Sequence, residues 1–169
     1  MVAAAAKRGQ RSAMFLFEEA ANNLLNRADG LGMRVRDPYD KGLLTIQQID
    51  PAELSPGEFA TAVCRAADQG AKVVVIDSIN GYQSSMPDEQ SLILHMHELL
   101  QYLNRQGATT FLTVAQHGLV GDMKTPVDVT YIADTVILLR YFEALGRVRR
   151  AISVVKKRMS AHEDSIREY

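Results

Sequence analysis

Val73-Val74-Val75-Ile76-Asp77-Ser78 sets four apolar residues directly ahead of a carboxylate and a hydroxyl. An apolar run without polar alternation is what a strand covered on both faces requires, as in the centre of a parallel sheet. Asp77 then ends the strand and brings its carboxylate to the carboxyl end, the edge at which open α/β sheets bind ligands. In nucleotide-hydrolysing folds an Asp in this place accepts from a water on Mg²⁺ and so positions the ion. A strand-ending Asp also caps turns, and these six residues alone fit either role.

Outward from this run, strand-like and helix-like segments alternate. Ser12–Phe17 is a short apolar run followed by Ala20–Ala28, where Leu24, Leu25 and Ala28 recur at helical spacing before Gly30. Leu43–Ile49 reads as a strand. Ser55-Pro56-Gly57-Glu58 carries the N-cap Ser, N1 Pro and N3 Glu of a capping box, and opens a helix bearing Phe59, Val63 and Ala67 that stops near Gly70. Pro87 to Gln106 reads as the longest helix, with Leu92, Met96, Leu99 and Leu103 along one face. Gly107 breaks it before a strand at Thr109–Ala115, and Gly118–Pro126 reads as a loop. Two β-prone runs, Thr135–Phe142 and Arg149–Val155, joined by Glu143–Val148 with Gly146 at the turn, describe a hairpin, and Ile166–Tyr169 a last short strand. The pattern predicts a three-layer α/β fold with a mostly parallel sheet and a C-terminal β-hairpin, one domain over residues 1–169.

Composition narrows the function classes. The 169 residues are 47% hydrophobic and 23% charged, as expected of a globular chain with a core. A net charge of −1 gives no whole-chain attraction to nucleic acid or anionic membrane. The longest apolar stretches, such as Val2–Ala6 and Ala13–Phe17, fall far short of the roughly 20 residues of a membrane span. One cysteine, Cys64, makes no internal disulfide, and the first residues lack the charge order of a signal peptide, so a cytoplasmic protein is expected.

Three strand ends carry candidate chemistry. Glu18 and Glu19 close the run ending at Phe17; of two adjacent carboxylates, one can face a water as general base while the other orients it, or both can favour the first turn of the next helix. Asp77 and Ser78 close the second run. Gln116, just past the third, is a neutral amide able to sense a terminal phosphate without competing for a metal, or simply a loop hydrogen-bonding group. If the three strands are neighbours, these groups converge on one edge. Residues 140–158 hold seven basic side chains against Glu143 alone, a local +6 suited to phosphate or to solvent. Lys156 and Arg158, two apart on a strand, share a face. His95 and His97, two apart on a helix, point away from each other, which disfavours a metal site. His117 and His162 stand alone, Cys64 lies on the apolar side of its helix, and Tyr82, Tyr102 and Tyr141 form no base-stacking series.

From Met14 to Tyr169 the sequence resembles one domain of the KaiC-like branch of the RecA-type ATPases, the family of the cyanobacterial circadian clock ATPase. The matching stretches are AMFLFEE, VVVIDSINGY, LNRQGATTFLTVAQHG, IADTVILLRYFEALGRVRRAISVVKKRMSAH and SIREY. The resemblance implies a RecA-like P-loop NTPase fold, ATP and Mg²⁺ as cofactors, and a hexameric ring of this or related subunits with ATP between them. Glu18 and Glu19 match the catalytic glutamate pair, and Asp77 with Ser78 matches the Walker B end. Lys156, Arg158 and His162 lie in the run whose cations reach the ATP site of the adjacent subunit.

Two departures qualify this. The loop G-x-x-x-x-G-K-[ST] is absent: none of the 11 glycines is followed by Lys, so the amides and Lys that cradle phosphates are not encoded here. Residues 1–10 resemble the end of the helix that follows that loop, which implies a domain without its first strand. That strand belongs between those at Ala115 and Thr135, so low stability and little ATP hydrolysis are expected. Where clock proteins carry a phosphorylated Ser-Thr pair, this chain has Thr130 and Tyr131, which puts serine/threonine autokinase activity in question. The alternatives are a non-catalytic oligomerisation or signalling module and, ranked last, a recombinase-like domain binding nucleic acid through residues 147–158.

Overall fold

The structure is a computed structural model that describes residues 1–86, 88–115 and 130–169. The chain divides into two compact units, residues 1–114 and 115–169.

The first unit is an α/β layer structure. Its elements are α1 (Val2–Lys7), β1 (Arg11–Leu16), α2 (Ala21–Gly30), α3 (Arg36–Asp40), β2 (Leu44–Gln48), α4 (Pro56–Asp68), β3 (Ala71–Asp77), α5 (Ile79–Ser85), α6 (Glu89–Arg105) and β4 (Thr109–Leu112). The four strands form a wholly parallel sheet in the order β2-β1-β3-β4. Because the chain passes from β1 outward to β2 and then returns to the other side of β1 for β3, the order reverses between β1 and β3. In open α/β sheets that reversal opens a crevice at the carboxyl edge.

Alternating side chains send the two faces of β1 to different helices. Met14 and Ile46 pack with Leu25, Ala28, Val35 and Leu44 on the side of α2 and α3. Phe15 and Phe17 turn to α4, where both rings meet Phe59 at centroid separations of 5.8 and 5.3 Å. Helices therefore cover both faces, giving the three layers expected. The apolar spacings read from the sequence are the buried ones: Phe59, Val63 and Ala67 on α4, and Leu92, Met96, Leu99 and Leu103 on α6. Fully burying each of the larger side chains contributes about 1.5–3 kcal/mol.

The capping box on α4 forms as predicted, with Ser55 Oγ accepting from the Glu58 amide and Glu58 accepting from the Ser55 amide. The last long helix starts later than expected: Asp88 caps it by accepting from the Ser91 amide at 2.8 Å, and Pro87 lies outside the described residues. The strand expected over Thr109–Ala115 ends at Leu112, because its partner β3 ends at Asp77 and the ladder stops with it.

The second unit is an antiparallel sheet of β5 (Thr135–Ala144), β6 (Arg147–Lys157) and β7 (Arg167–Glu168), in that order. The hairpin runs closer to its turn than the sequence suggested. Only Leu145 and Gly146 connect the strands, both at positive φ (53° and 68°), the two-residue turn whose twist matches that of the flanking strands. Among the described residues β4 and β5 each form an edge of their own sheet. The Gly118–Pro126 loop lies outside the described residues. None of the described helices is long and apolar enough to cross a membrane.

Candidate functional site

The register of the parallel sheet builds the site. Leu16 stands opposite Asp77, and the Phe17 amide continues the ladder by donating to the Asp77 carbonyl at 2.8 Å. Glu18 is thereby delivered beside Ser78, whose hydroxyl donates to Glu18 Oε1 at 2.8 Å. Ser78 is buried while Glu18 is exposed, so a fixed hydroxyl orients a carboxylate that solvent and solutes can reach. The Asp77–Ser78 peptide is cis.

Asp77 is held from the other side. Beyond the end of β4 the Thr113 amide donates to the Ile76 carbonyl at 3.1 Å, and the Thr113 carbonyl accepts from the Ile79 amide at 3.0 Å. The Thr113 hydroxyl donates to Asp77 Oδ1 at 2.5 Å. Asp77 Oδ2 has no partner among the described residues.

Glu19 is turned elsewhere. Its Oε1 meets the Arg27 guanidinium of α2 at 2.5 Å, with the Glu19 side chain largely covered and Arg27 mostly exposed. The two adjacent carboxylates thus sit in different surroundings, one beside a hydroxyl and one beside a cation.

The structure therefore brings Glu18, Asp77 and Ser78 together at the β1–β3 reversal. Gln116 and His117 lie outside the described residues. Lys156, Arg158 and His162 belong to the second unit. There Lys156 Nζ donates to the carbonyls of Thr130 (2.7 Å) and Tyr131 (3.3 Å), while Arg158 donates to the Tyr131 carbonyl (2.9 Å) and to Asp134 Oδ1 (3.2 Å). The two cations share the Tyr131 carbonyl, although β6 ends at Lys157 and Arg158 lies just past the strand on which both were expected. His162 is exposed in irregular backbone. Other cations of the basic stretch are also engaged: Arg149 with Glu168 at 2.9 Å, and Arg150 over the Tyr169 ring at 5.4 Å.

Two partners were not singled out from sequence, Thr113 and Arg27. Thr113 carries a usable signal, since it is the first residue past a strand that neighbours the one ending in Asp77.

A second polar group lies on the α4 and α6 side of the sheet. Tyr82 of α5 is fully buried, its hydroxyl bonded to His95 Nδ1 and its ring stacked with that of His95 at 5.9 Å. Burial pushes the Tyr82 phenol well above its ordinary value. A groove of about 460 Å³ between α4 and α6 is lined by Cys64, His95, His97 and Tyr102 among others, and by none of the carboxyl-edge residues. Cys64 is half-buried there rather than buried, and its thiol is pushed up first by desolvation and then by Asp68. Among the described residues no group of three or more His, Cys, Asp or Glu side chains is placed to hold a metal ion.

Comparison with known proteins adds a family. The family model described as "ATPase: KaiC" matches residues 1–169. Circadian clock protein KaiC3 of Synechocystis sp. is 29% identical over 166 residues, 95% of this chain and 32% of the relative. Circadian clock oscillator protein KaiC of Acaryochloris marina is 28% identical over 98% of this chain and 32% of its own length, and that of Thermostichus vulcanus 27% identical over 96% and 32%. The chain thus spans about a third of the length of the curated relatives it matches.

Proposed function

The chain belongs to the KaiC ATPase family, and from that premise we propose that the Glu18–Asp77–Ser78 edge is the acid half of a site for Mg²⁺-dependent ATP hydrolysis. The observation that carries this reading is the Ser78 to Glu18 hydrogen bond at the β1–β3 reversal. It fixes one accessible carboxylate where an open sheet takes its ligand.

The donor set suits magnesium. That ion keeps several waters and needs one or two carboxylates together with substrate phosphates. Asp77, with one oxygen held by Thr113 and the other unpartnered among the described residues, is the group that would hold it. Magnesium there would screen charge on phosphate oxygens. Within residues 1–169 no glycine is followed by Lys, so a Gly-rich phosphate-cradling loop is not among them.

What the chain's own residues do is more limited. Glu18 accepts a proton from, or orients, a water in front of it. Ser78 holds Glu18 in place by donating its hydroxyl. Arg27 ties Glu19 to α2, leaving Glu18 to face the water. Gln116 senses the terminal phosphate, and Lys156, Arg158 and His162 act on the nucleotide of a neighbouring subunit in a homo-oligomeric ring. Support for that last group is the matching sequence run, and the cations must first leave the carbonyls that they now hold. Self-phosphorylation at Thr130 or Tyr131 is a finer part of the same reading, and mass spectrometry after incubation with MgATP tests it. Action in the cytoplasm is part of this reading too.

Titration with a fluorescent ATP analogue tests the site. Weak binding that requires Mg²⁺ and is lost in Asp77→Asn is the expected result. Binding indifferent to Mg²⁺ and to that substitution contradicts the assignment. Little turnover is expected from the 169 residues alone, so vigorous phosphate release contradicts that part.

A second reading has its own observation. Ile137, Leu139 and Tyr141, alternate residues of β5, are all exposed on one face, and a non-catalytic assembly module would use such a surface. Light scattering without nucleotide separates the two: a stable assembly favours this reading, and a strict monomer counts against it.

A further inference from the structure

We propose that Thr113 is a positioning residue for Asp77, holding one carboxylate oxygen so that the other is presented to a divalent cation. The inference rests on the reading of Asp77 given above and extends it to a residue outside the acidic set.

Three observations converge. First, the backbone of Thr113 is bonded both to β3 and to the first residue of α5. Its amide donates to Ile76 and its carbonyl accepts from Ile79, so hydrogen bonds from Thr113 bracket Asp77 on both sides along the chain. Second, Ile76 stands opposite Leu112, which places Thr113 opposite Asp77 and on the same face of the sheet. Third, the Thr113 hydroxyl donates to Asp77 Oδ1 at 2.5 Å, so the side chain as well as the backbone of Thr113 meets this residue.

The physical consequence concerns the last torsion of Asp77. Rotation about the carboxylate bond is broad and roughly two-fold, so an unbonded carboxylate samples many orientations. A donor fixed to the neighbouring strand selects one of them and leaves Oδ2 aimed away from the bond. A hydroxyl is suited to this task because it is neutral: unlike Lys or Arg it adds no positive charge to repel the cation. Bonds of this kind to ligating carboxylates raise metal affinity, and losing one costs about 10–100-fold.

Manganese serves as the probe. Its paramagnetism broadens amide resonances near where it binds, which reads even weak binding by the 169-residue chain without any turnover. The resonances of Leu16, Glu18 and Ser78 are followed during Mn²⁺ titration of the wild type, Thr113→Val, Thr113→Ser and Asp77→Asn. Thr113→Val keeps the branched shape and removes the hydroxyl, so the midpoint is expected to rise about tenfold. Thr113→Ser restores the hydroxyl and should titrate close to wild type.

Asp77→Asn is expected to abolish the selective broadening. If it does and Thr113→Val titrates like wild type, Thr113 has no positioning role and the assignment of Asp77 stands. If Asp77→Asn also titrates like wild type, the assignment of Asp77 falls and this inference with it. Thr113→Ala replaces the valine variant if the latter does not fold, and must show the same loss. A loss in Thr113→Ser as large as in Thr113→Val overturns the proposal too, since the hydroxyl would then not be what matters.

Discussion

Gly81 of α5 lies directly against Phe17, the residue before Glu18: a Cβ built on Gly81 would sit 2.7 Å from Phe17 Cγ and closer still to its Cβ. Phe17 cannot retreat easily, because its ring is wedged between Phe59 and Tyr82 at 5.3 and 6.0 Å. Gly81→Ala is therefore expected to cost about 1–3 kcal/mol, the usual penalty of overpacking. A lower urea midpoint with an unchanged slope checks it. The same substitution should shift the Glu18 and Ser78 amide resonances, because Phe17 carries the chain into Glu18.

Helix α4 supplies Phe59 to that cluster, and its start depends on Ser55. Ser55→Ala removes the acceptor for the Glu58 amide and should cost about 1 kcal/mol at neutral pH. Hydrogen bonds from the Ser55 hydroxyl and then the Ser55 amide hold the Glu58 carboxyl below its ordinary value. A depressed carboxyl contributes stability above its unfolded value and loses it as pH falls through the folded one. The gap between wild type and Ser55→Ala should be full at pH 7 and narrow below about pH 4, read from urea midpoints across that range.

Local signals made the first part of this site legible and register hid the rest. Val73–Ile76 has no polar alternation and Ser55-Pro56-Gly57-Glu58 has fixed capping offsets, so both announce their structure within a few residues. Glu18 and Asp77 are legible because a carboxylate after an apolar run lies at a strand end whatever the sheet order. The pairing of Thr113 with Asp77 is not local. It follows from β4 lying beside β3 with Leu112 opposite Ile76, and nothing near Thr113 states that register. Helix α3 has no signature in the sequence because five residues are too few for a periodic pattern, and an isolated turn is held by its neighbours rather than by propensity. Tyr82 and His95 are 13 residues apart on different helices, so their bond depends on how α5 and α6 pack.

That bond predicts an alkaline transition. Replacing Tyr82 by Phe leaves the ring in place and removes a buried hydroxyl bond, at a cost of about 1 kcal/mol near neutrality. Burial raises the Tyr82 phenol above the unfolded value of about 10. Below that pH both states keep the proton and the contribution is intact. Above it the unfolded phenol ionises while the folded one does not, so stability declines as pH rises through the folded value. The advantage of wild type over Tyr82→Phe should shrink above about pH 10. Tyr102, whose phenol is raised chiefly by its bond to Asp68, is present in both proteins and cancels from the difference.

Lys156 and Arg158 give the last prediction, which bears on whether their present contacts are structural. Between them they bond the Thr130 and Tyr131 carbonyls and the Asp134 carboxylate, and the Arg158 amide also donates to the Asp134 carbonyl at 2.8 Å. The Arg158–Asp134 pair is half or more exposed on both sides, so screening limits it to about 0–1 kcal/mol. Replacing both cations by Met should therefore speed hydrogen exchange at the Arg158 amide by up to about fivefold, the factor that 1 kcal/mol of local opening allows. Amides of β1 and β3, in the other unit, should exchange as before. Unchanged exchange at Arg158 means that the cations do not hold this turn and are already available to an anion. Faster exchange means that any role on a neighbour's phosphates begins with their release from Thr130, Tyr131 and Asp134.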